Sequence, residues 1–334
     1  MTGTVNRAVR TCLLTALVGC STGADAAPLP AQQVPDGFWD HWGDGRAELA
    51  AYELAFPRYG EVRRGKATLV TVSQRFDDAQ RVKPEGRGRD SYPVLKQNLV
   101  MDFQTGIYDY NVMTSTFLRL DGGAPLGEPV KVSMSMQEWC GHVYEQLIPR
   151  GPSGPEAERP PTSASAIPRD REGARSAVGS LIWEGHSYFD GEADRERDLG
   201  RREGGILLDA LPTLVRGLTG DVVAAGEAIT VPALPTLVAG RLSHEAPTWT
   251  EVTVARRAEA EAITVPAGTF EVHTVTTSTG GDTTSWWVEV APPHRLIGWE
   301  STTGQRAELL GVERIAYWNK HANGDEKLLE GLGL

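Results

Sequence analysis

The stretch "EWCGHVYEQL" invites a chemical interpretation because it places Cys140 and His142 one residue apart. A histidine that contacts a cysteine lowers the thiol pKa and can serve as its base. Alternate residues of a strand point to one face, so the two side chains meet if this segment is a strand, with or without a bulge at Gly141. A catalytic thiol also needs oxyanion donors and an orienting residue, and the sequence shows no elbow or helix start there. We therefore predict a strand in which Cys140 packs as a small apolar side chain, with an enzyme built on Cys140 and His142 as the alternative.

A metal site at the same place would need ligands that the sequence does not supply. Zinc sites usually pair two cysteines or two histidines at short spacings, and neither pairing occurs. The stretch "FDGEADRE" sets Asp190, Glu192 and Asp194 at alternate positions, faintly like a calcium loop. Arg195 and Arg201 stand where such a loop requires its glycine and its glutamate. We predict a solvated acidic loop, with no metal and no other cofactor.

Aromatic residues are the candidates for binding a ligand, namely Trp139, Trp286, Trp287 and Trp299. Trp286 and Trp287 are adjacent and must face opposite sides of a strand, so one of them is expected to line an interior. The stretch "WDHWGDG" (39–45) gathers aromatic and acidic residues where the chain enters its globular body. We predict that it forms a latch over the mouth of the sheet, and a sugar-binding cluster is the alternative.

The cysteine with the clearest chemistry is Cys20. Arg7 and Arg10 precede the short apolar run "TCLLTALVG", a pattern typical of a secretory signal and far too short to span a bilayer. The residues Leu17-Val18-Gly19-Cys20 resemble the bacterial lipobox, in which the cysteine is acylated and becomes the first residue. Cleavage of an ordinary signal near Ala26-Ala27 is the alternative.

A lipid on Cys20 would hold the protein in a membrane, since each buried CH₂ contributes about 0.8 kcal/mol. Ser21 follows the cysteine, which by enterobacterial sorting rules favours the outer membrane and therefore a periplasmic or surface location. The chain carries a net charge of −11, and the signal contains two arginines and no acidic residue, so its removal makes the body more acidic still. An acidic body repels nucleic acid. The expected partners are the membrane and a lipid or an envelope protein, and nucleic acid is not among them.

Most of the body alternates apolar and polar residues in the manner of strands, which predicts a mainly β protein. Short strands with frequent turns favour one large antiparallel sheet, either curved or closed into a partly open barrel. The exception is "GILLDALPTLVRGL" (205–218), where apolar residues share one helical face and Asp209 could cap the start before Pro212; we predict one amphipathic helix there. Residues 149–178 are rich in Pro, Ser and charge and are predicted to be a disordered insertion. The predicted organisation is a lipoprotein signal peptide, a flexible tether, a single β domain that contains the insertion, and a C-terminal tail, at residues 1–19, 20–35, 36–320 and 321–334.

The segment "ITVPAGTFEVHTVTTSTGGDTTSWWVEVAPPHRLIGWES" (263–301) resembles a recurrent element of bacterial envelope proteins. In those proteins a Val-Pro-Ala-Gly-Thr-Phe turn and strand precede a hairpin, an aromatic strand and a closing strand. The families concerned are related in fold to the LolA/LolB-like lipoprotein carriers, which are curved half-barrels with apolar interiors. The blocks "FWDHWGDGRAELAAYEL", "PRYGEVRRG", "DFQTGIYDYNVMTS" and "EWCGHVYEQL" are similar to a narrower lipoprotein subfamily that is sometimes labelled septum formation inhibitor Maf. The Maf pyrophosphatase relies on a Ser-Pro-Arg-Arg phosphate loop, which this chain lacks, so the resemblance implies a fold and a location and no catalytic residues.

Together these patterns predict a membrane-anchored envelope lipoprotein that binds an apolar or amphipathic ligand, or a partner protein, in a concavity of its sheet. The physical reason is that a curled sheet of this size encloses more volume than its own side chains readily fill. Two alternatives remain open, an envelope enzyme that uses Cys140 and His142, and a structural lipoprotein that binds no ligand.

Overall fold

The computed structural model describes Leu29 and residues 32–85, 91–151, 169–170, 179–192 and 194–334. The predicted signal peptide, Cys20 and most of the predicted tether lie outside the described residues. Most of the predicted insertion also lies outside them.

Among the described residues, 17 strands form one sheet. The strands of the first half are β1 (Ala47–Arg58), β2 (Glu61–Asp77), β3 (Ser91–Thr105), β4 (Tyr108–Arg119), β5 (Lys131–Glu138), β6 (Gly141–Arg150), β7 (Arg169–Asp170), β8 (Ser180–Ser187) and β9 (Arg195–Asp198). Those of the second half are β10 (Ile206–Leu207), β11 (Ala228–Leu234), β12 (Thr250–Arg256), β13 (Glu261–Val265), β14 (Gly268–Thr279), β15 (Asp282–Glu289), β16 (Leu296–Ser301) and β17 (Arg306–Ile315). The helices are α1 (Phe38–Trp42), α2 (Leu211–Leu214) and α3 (Leu237–Ser243), with 3-10 turns at Leu208–Ala210, Tyr317–Asn319 and Asp325–Leu332.

The strands follow one another in space as β10, β11, β12, β14, β15, β16, β17, β1, β2, β3, β4, β5, β6, β8 and β9. β13 pairs with β14, and the two parallel contacts are β10 with β11 and β7 with β9. The two halves of the chain join where β17 pairs with β1. The predicted class is confirmed, since the protein is mainly β with one large, curved, unclosed antiparallel sheet.

The ladder registers bring five tight connections to one end of the sheet, called the turn end below. Arg306 of β17 pairs with Ala55 of β1, close to the turn between β1 and β2. Thr284 of β15 pairs with Ser301 of β16, so the turn that precedes β15 and the turn that follows β16 lie at the same end of the sheet. The five turns lie at residues 59–60, 106–107, 139–140, 280–281 and 302–305.

The opposite end of the sheet, called the helix end below, is covered by α1. Phe38 and Trp42 pack there against Leu95, Leu120 and Leu218. These apolar contacts close the sheet at the end from which the chain enters. The predicted latch therefore exists, but it covers the helix end.

The concave face of the sheet carries the main hydrophobic core. Alternate residues of each strand point inward, and the inward positions of β5, β6 and β8 include the buried side chains of Met134, Leu147 and Trp183. The same core continues over β14 to β17 and holds the two halves together. Strand alternation in the sequence thus corresponds to one continuous apolar interior.

The helix predicted for residues 205–218 is interrupted. Its first residues form β10, which pairs with the end of β11, and only a 3-10 turn and the four-residue α2 follow. Pro212 has no backbone N–H, and Gly217 adopts a positive φ of 66°, which ends the helical run. Asp209 does not cap its own segment; its Oδ2 accepts a hydrogen bond at 3.2 Å from the backbone N–H of Leu237, the first residue of α3. The capped helix is α3, whose Thr236 hydroxyl accepts from Ala239.

Gln32, in the predicted tether, and Leu332, in the predicted tail, both pack against the body of the protein. Gln32 is buried, and its side-chain amide donates to the carbonyl oxygens of Pro125 and Glu128, both at 3.0 Å. At the other terminus Leu332 is buried beside Gly311, where any side chain would collide with the backbone of Gly331. The chain is therefore packed against the sheet at both termini of its described part. Helices long and apolar enough to cross a membrane are absent from this part.

Candidate functional site

The concave face encloses a cavity of about 430 Å³. Its walls are β3, β4 and β14 to β16, and the segment from Leu208 to Pro212 together with α3 covers it. Ligand sites for small molecules commonly have volumes of about 300–1,000 Å³, so the space is large enough for one apolar molecule. Most of the lining is apolar, as in Leu99, Met101 and Leu242.

Two of the four candidate tryptophans form one wall of this cavity. The rings of Trp286 and Trp299 stack with centroids 5.8 Å apart, and both line the cavity. Trp286 Nε1 donates to Thr277 Oγ1 at 3.0 Å, so the polar atom of the indole is satisfied inside the wall. The expectation that one of the adjacent tryptophans faces an interior is confirmed for Trp286. Trp287 points to the other side, where the Arg306 guanidinium lies 5.6 Å from its ring centroid.

The fourth candidate, Trp139, lies far from the cavity floor. It occupies the turn between β5 and β6, and 71% of its surface is exposed. Its ring centroid is 6.4 Å from that of Tyr108, a neighbour on the adjacent hairpin. Trp139 therefore belongs to the outer surface of the turn end.

The mouth of the cavity opens at the turn end and beside α3. The lining residues Ala239, Asp282 and Thr303 are exposed there. Polar side chains surround this opening, while the middle of the cavity is apolar. A molecule can therefore enter between the turns and α3.

The floor of the cavity is polar, and the sequence analysis named none of its residues as a ligand-binding group. Gln97 of β3 pairs with Thr116 of β4, and the Thr116 hydroxyl donates to the carbonyl oxygen of Asp209 at 3.2 Å. All three residues are buried, and all three line the cavity. Gln97 Nε2 is buried without a hydrogen-bond partner in the described residues. The sequence does contain a signal, because Gln97 interrupts the apolar inward positions on either side of it in β3.

The carboxyl group of Asp209 titrates near neutrality. Its pKa is raised to about 7, mainly by burial; the hydrogen bond from the Leu237 N–H opposes the rise, and the negative charge of Glu145 adds to it. Glu145 is itself buried, with its Oε2 accepting from Trp183 Nε1 at 2.9 Å, and burial raises its pKa as well. The carboxyl group on the cavity floor therefore keeps its proton to a higher pH than an exposed aspartate does.

The floor belongs to a row of buried polar residues that crosses the concave face. Glu48 of β1 pairs with Thr71 of β2, and Thr71 pairs with Gln97. Glu48 Oε1 lies 2.8 Å from Arg216 Nη1, and both side chains are almost fully buried. The row separates the main core from the small apolar cluster under α1.

Cys140 is exposed and lies in the turn between β5 and β6, so the prediction of a buried strand residue is wrong. The strand pattern ends at Glu138, whose carboxylate accepts the Cys140 backbone N–H at 2.7 Å and holds the turn. The hydrogen bond and the charge of Glu138 raise the pKa of the Cys140 thiol. His142 is exposed on β6, and no hydrogen bond joins it to Cys140 among the described residues. This arrangement keeps the thiol protonated and argues against a nucleophilic role.

We expect Cys140 to be alkylated by iodoacetamide in the folded protein, slowly near neutral pH and faster as the pH rises above the usual range of a thiol. The exposed turn gives access, and Glu138 keeps the thiolate fraction low. Glu138→Gln should shift the rate profile to lower pH, whereas Glu61→Gln on β2 should leave it unchanged. Mass spectrometry after timed alkylation measures the rate, and fast reaction of the unsubstituted protein at neutral pH would restore the enzyme hypothesis.

The acidic loop "FDGEADRE" makes protein contacts. Glu192 pairs with His244 and with Arg241, and Asp194 Oδ1 lies 2.9 Å from His186 Nδ1. Two of its three carboxylates are thus engaged by basic side chains. Nowhere in the described ranges do three or more His, Cys, Asp or Glu side chains gather as a metal site would require.

Comparison of the chain with protein-family models, with curated proteins and with solved structures found no match. The fold and the cavity are therefore the basis for a functional conclusion.

Proposed function

We propose that the protein is a lipoprotein of the bacterial cell envelope that binds an apolar or amphipathic ligand inside its curved sheet. The single observation that carries the binding function is the cavity of about 430 Å³ with a mostly apolar lining and an exposed mouth. An apolar molecule gains about 25 cal/mol for each Å² that it removes from water, so such a cavity favours occupation. Export and lipid attachment through Cys20 rest on the N-terminal sequence, which supports outer-membrane anchoring.

A binding function accounts for the cavity better than the two alternatives do. A purely structural lipoprotein has no need of an interior that its own side chains leave unfilled, because close packing is the rule in protein cores. An enzyme built on Cys140 would place its nucleophile on an exposed turn and outside this cavity. The stacked Trp286 and Trp299 offer flat apolar surface to a bound chain or ring.

We expect Leu99→Trp to weaken ligand binding by occupying part of the cavity. Leu99 lines the space, so a larger side chain displaces the ligand without displacing protein atoms. Binding of the fluorescent probe N-phenylnaphthylamine should weaken by at least about tenfold, equivalent to about 1.4 kcal/mol. The titration uses the full chain with Cys20→Ser, which removes the acylation site and hence the need for detergent.

Val100→Trp is the matched control, because successive strand residues point to opposite faces and Val100 lies on the convex side. It should bind the probe as the unsubstituted chain does. Equal binding by both variants, or no binding by the unsubstituted chain, would overturn the proposed function. Native mass spectrometry of the unsubstituted chain adds a second readout, a ligand retained from the host.

A further inference from the structure

The floor of the cavity contains a hydrogen-bond donor that no described residue satisfies. Gln97 is 2% exposed, lines the cavity, and its Nε2 has no partner among the described residues. A buried amide without a partner is unfavourable, and native structures contain few of them. Because the Gln97 side chain borders the cavity, an acceptor on a ligand is the natural partner for its amide.

A second polar group stands beside the donor. Thr116 lies opposite Gln97 on the neighbouring strand and holds the Asp209 backbone by its hydroxyl. The Asp209 carboxyl is also buried and lines the cavity, with the Leu237 N–H as its hydrogen-bond partner. The floor therefore offers one free N–H and one carboxyl group to a bound molecule.

The charges around the cavity restrict the head that such a molecule can carry. The described lining contains Asp209 and Asp282 and has no lysine, arginine or histidine. A phosphate or an ionised carboxylate would be buried without a cation and against two acidic groups, which is strongly unfavourable. An ammonium could pair with Asp209, but it has no lone pair for Gln97 Nε2.

We propose that the cavity binds a single-chain or ring-shaped amphiphile head first, with an uncharged hydroxyl group held between Gln97 Nε2 and the carboxyl group of Asp209. A hydroxyl carries one donor and two acceptor sites. It therefore accepts a hydrogen bond from the Gln97 amide and forms a second hydrogen bond with the Asp209 carboxyl group. The rest of the molecule lies along Leu99 and the stacked Trp286 and Trp299 toward the turn end. This inference rests on the proposed binding function and defines the ligand class for it.

The protonation of Asp209 does not change this preference. The groups that act on its carboxyl are the Leu237 N–H, which favours the charged form, and Glu145, which disfavours it. Arg241, Arg195 and Glu192 act on Glu145 from the neighbouring loop and α3. A hydroxyl donates to the ionised carboxylate and accepts from the neutral acid, whereas a carboxylate ligand tolerates only the neutral acid.

The test compares three ligands that share one chain and differ in the head: decanol, decanoate and decylammonium. Isothermal titration calorimetry on the full chain with Cys20→Ser is carried out at about pH 6 and about pH 8, on either side of the folded pKa of Asp209. We expect decanol to bind at least about tenfold more tightly than the other two at both values, since only decanol satisfies both groups. Decanoate should weaken further as the pH rises.

Gln97→Met keeps the length of the side chain and removes the donor. This substitution should weaken decanol binding by roughly three- to tenfold, the change in affinity expected for the loss of one hydrogen bond. Gln104→Met is the matched control, because Gln104 lies on the same strand, is exposed and does not line the cavity, so it should leave decanol binding unchanged. If Gln97→Met does not fold, the ranking of the three heads in the unsubstituted chain decides the proposal alone.

The other outcomes overturn the proposal in distinguishable ways. Tightest binding of decylammonium above neutral pH, lost in Asp209→Asn and retained in Gln97→Met, would make the floor a cation site. Tightest binding of decanoate would make it an acid site. Equal binding of all three ligands would leave the proposed binding function intact and show that the cavity does not discriminate between the head groups. No binding of any of them, nor of N-phenylnaphthylamine, would remove the binding function itself.

Discussion

Arg216→Met is expected to lower the free energy of unfolding by about 3–5 kcal/mol, the cost of leaving a buried charge without its partner. Arg216 Nη1 lies 2.8 Å from Glu48 Oε1, and the two side chains are 1% and 3% exposed. The guanidinium also donates through Nε to the carbonyl oxygen of His294 at 2.7 Å and through Nη2 to that of Pro293 at 3.2 Å. Methionine would fill much of the same space, so the loss reflects charge and hydrogen bonds. Urea unfolding of the variant, with the slope held equal, measures it.

The matched control is Arg64→Met, which breaks an exposed ion pair on a neighbouring part of the sheet. Arg64 Nη1 lies 3.6 Å from Glu53 Oε1, and its side chain is 91% exposed. Pairs of this kind contribute about 0–1 kcal/mol. If Arg216→Met lowers the free energy of unfolding by as little as the control does, the buried pair does not contribute strongly to the stability of the fold.

A pH series gives an independent readout of the same pair. Burial alone would raise the pKa of Glu48, but the charge of Arg216, which lies 2.8 Å from Oε1, outweighs it, and the pKa is lowered to about 2. The stabilisation is therefore complete above the unfolded value of about 4.3 and is lost as the pH falls toward the folded value. Glu48→Gln should remove this dependence between those two values.

Asp209→Asn is expected to stabilise the protein in mildly alkaline solution and to have little effect in acid. The folded carboxyl has a pKa of about 7 because burial disfavours its charge, while the unfolded value is about 3.9. Between these values the folded state holds a proton that the unfolded state has lost, so stability falls as the pH rises through this window. The full difference, up to about 4 kcal/mol, is present above the folded pKa. Asparagine can still accept from the Leu237 N–H and carries no charge.

The measurement is urea unfolding of both proteins at about pH 4 and about pH 8, which bracket the window of the Asp209 titration. Asp282→Asn, at the exposed mouth of the cavity, is the control with the same chemical change. The gain for Asp209→Asn should appear only at the higher value. If the two proteins differ in free energy of unfolding by the same amount at both pH values, Asp209 ionises in the folded protein as readily as in the unfolded chain.

The sheet could be predicted from the sequence because its information is local. β2, β3 and β4 each alternate between buried and less buried residues over part of their lengths, so the inward face of each strand can be predicted from its own sequence. The prediction of a helix for residues 205–218 is wrong because a contact distant in sequence determines their structure. The first residues of this segment pair with β11 and form a strand. Cys140 was misplaced because its turn lacks the glycine or asparagine that usually marks a hairpin, and Glu138 supplies the turn contact.

The cavity floor could not be assembled from the sequence for a related reason. Thr116 and Asp209 are 93 residues apart and meet only because the covering segment crosses β4. Asp209 looked like a helix cap, the common use of an aspartate before an apolar run. Its burial in the concavity comes from packing, which no local pattern records.

The placement of Gln32 fixes the direction in which an anchored molecule would face. This residue is pinned beside the connection between β4 and β5, at the helix end, whereas the mouth of the cavity opens at the turn end. The dozen residues from Cys20 to Gln32 extend to roughly 40 Å at most. If Cys20 carries a lipid, as proposed, the helix end would lie nearer the membrane and the mouth of the cavity would open on the opposite side, toward the aqueous phase.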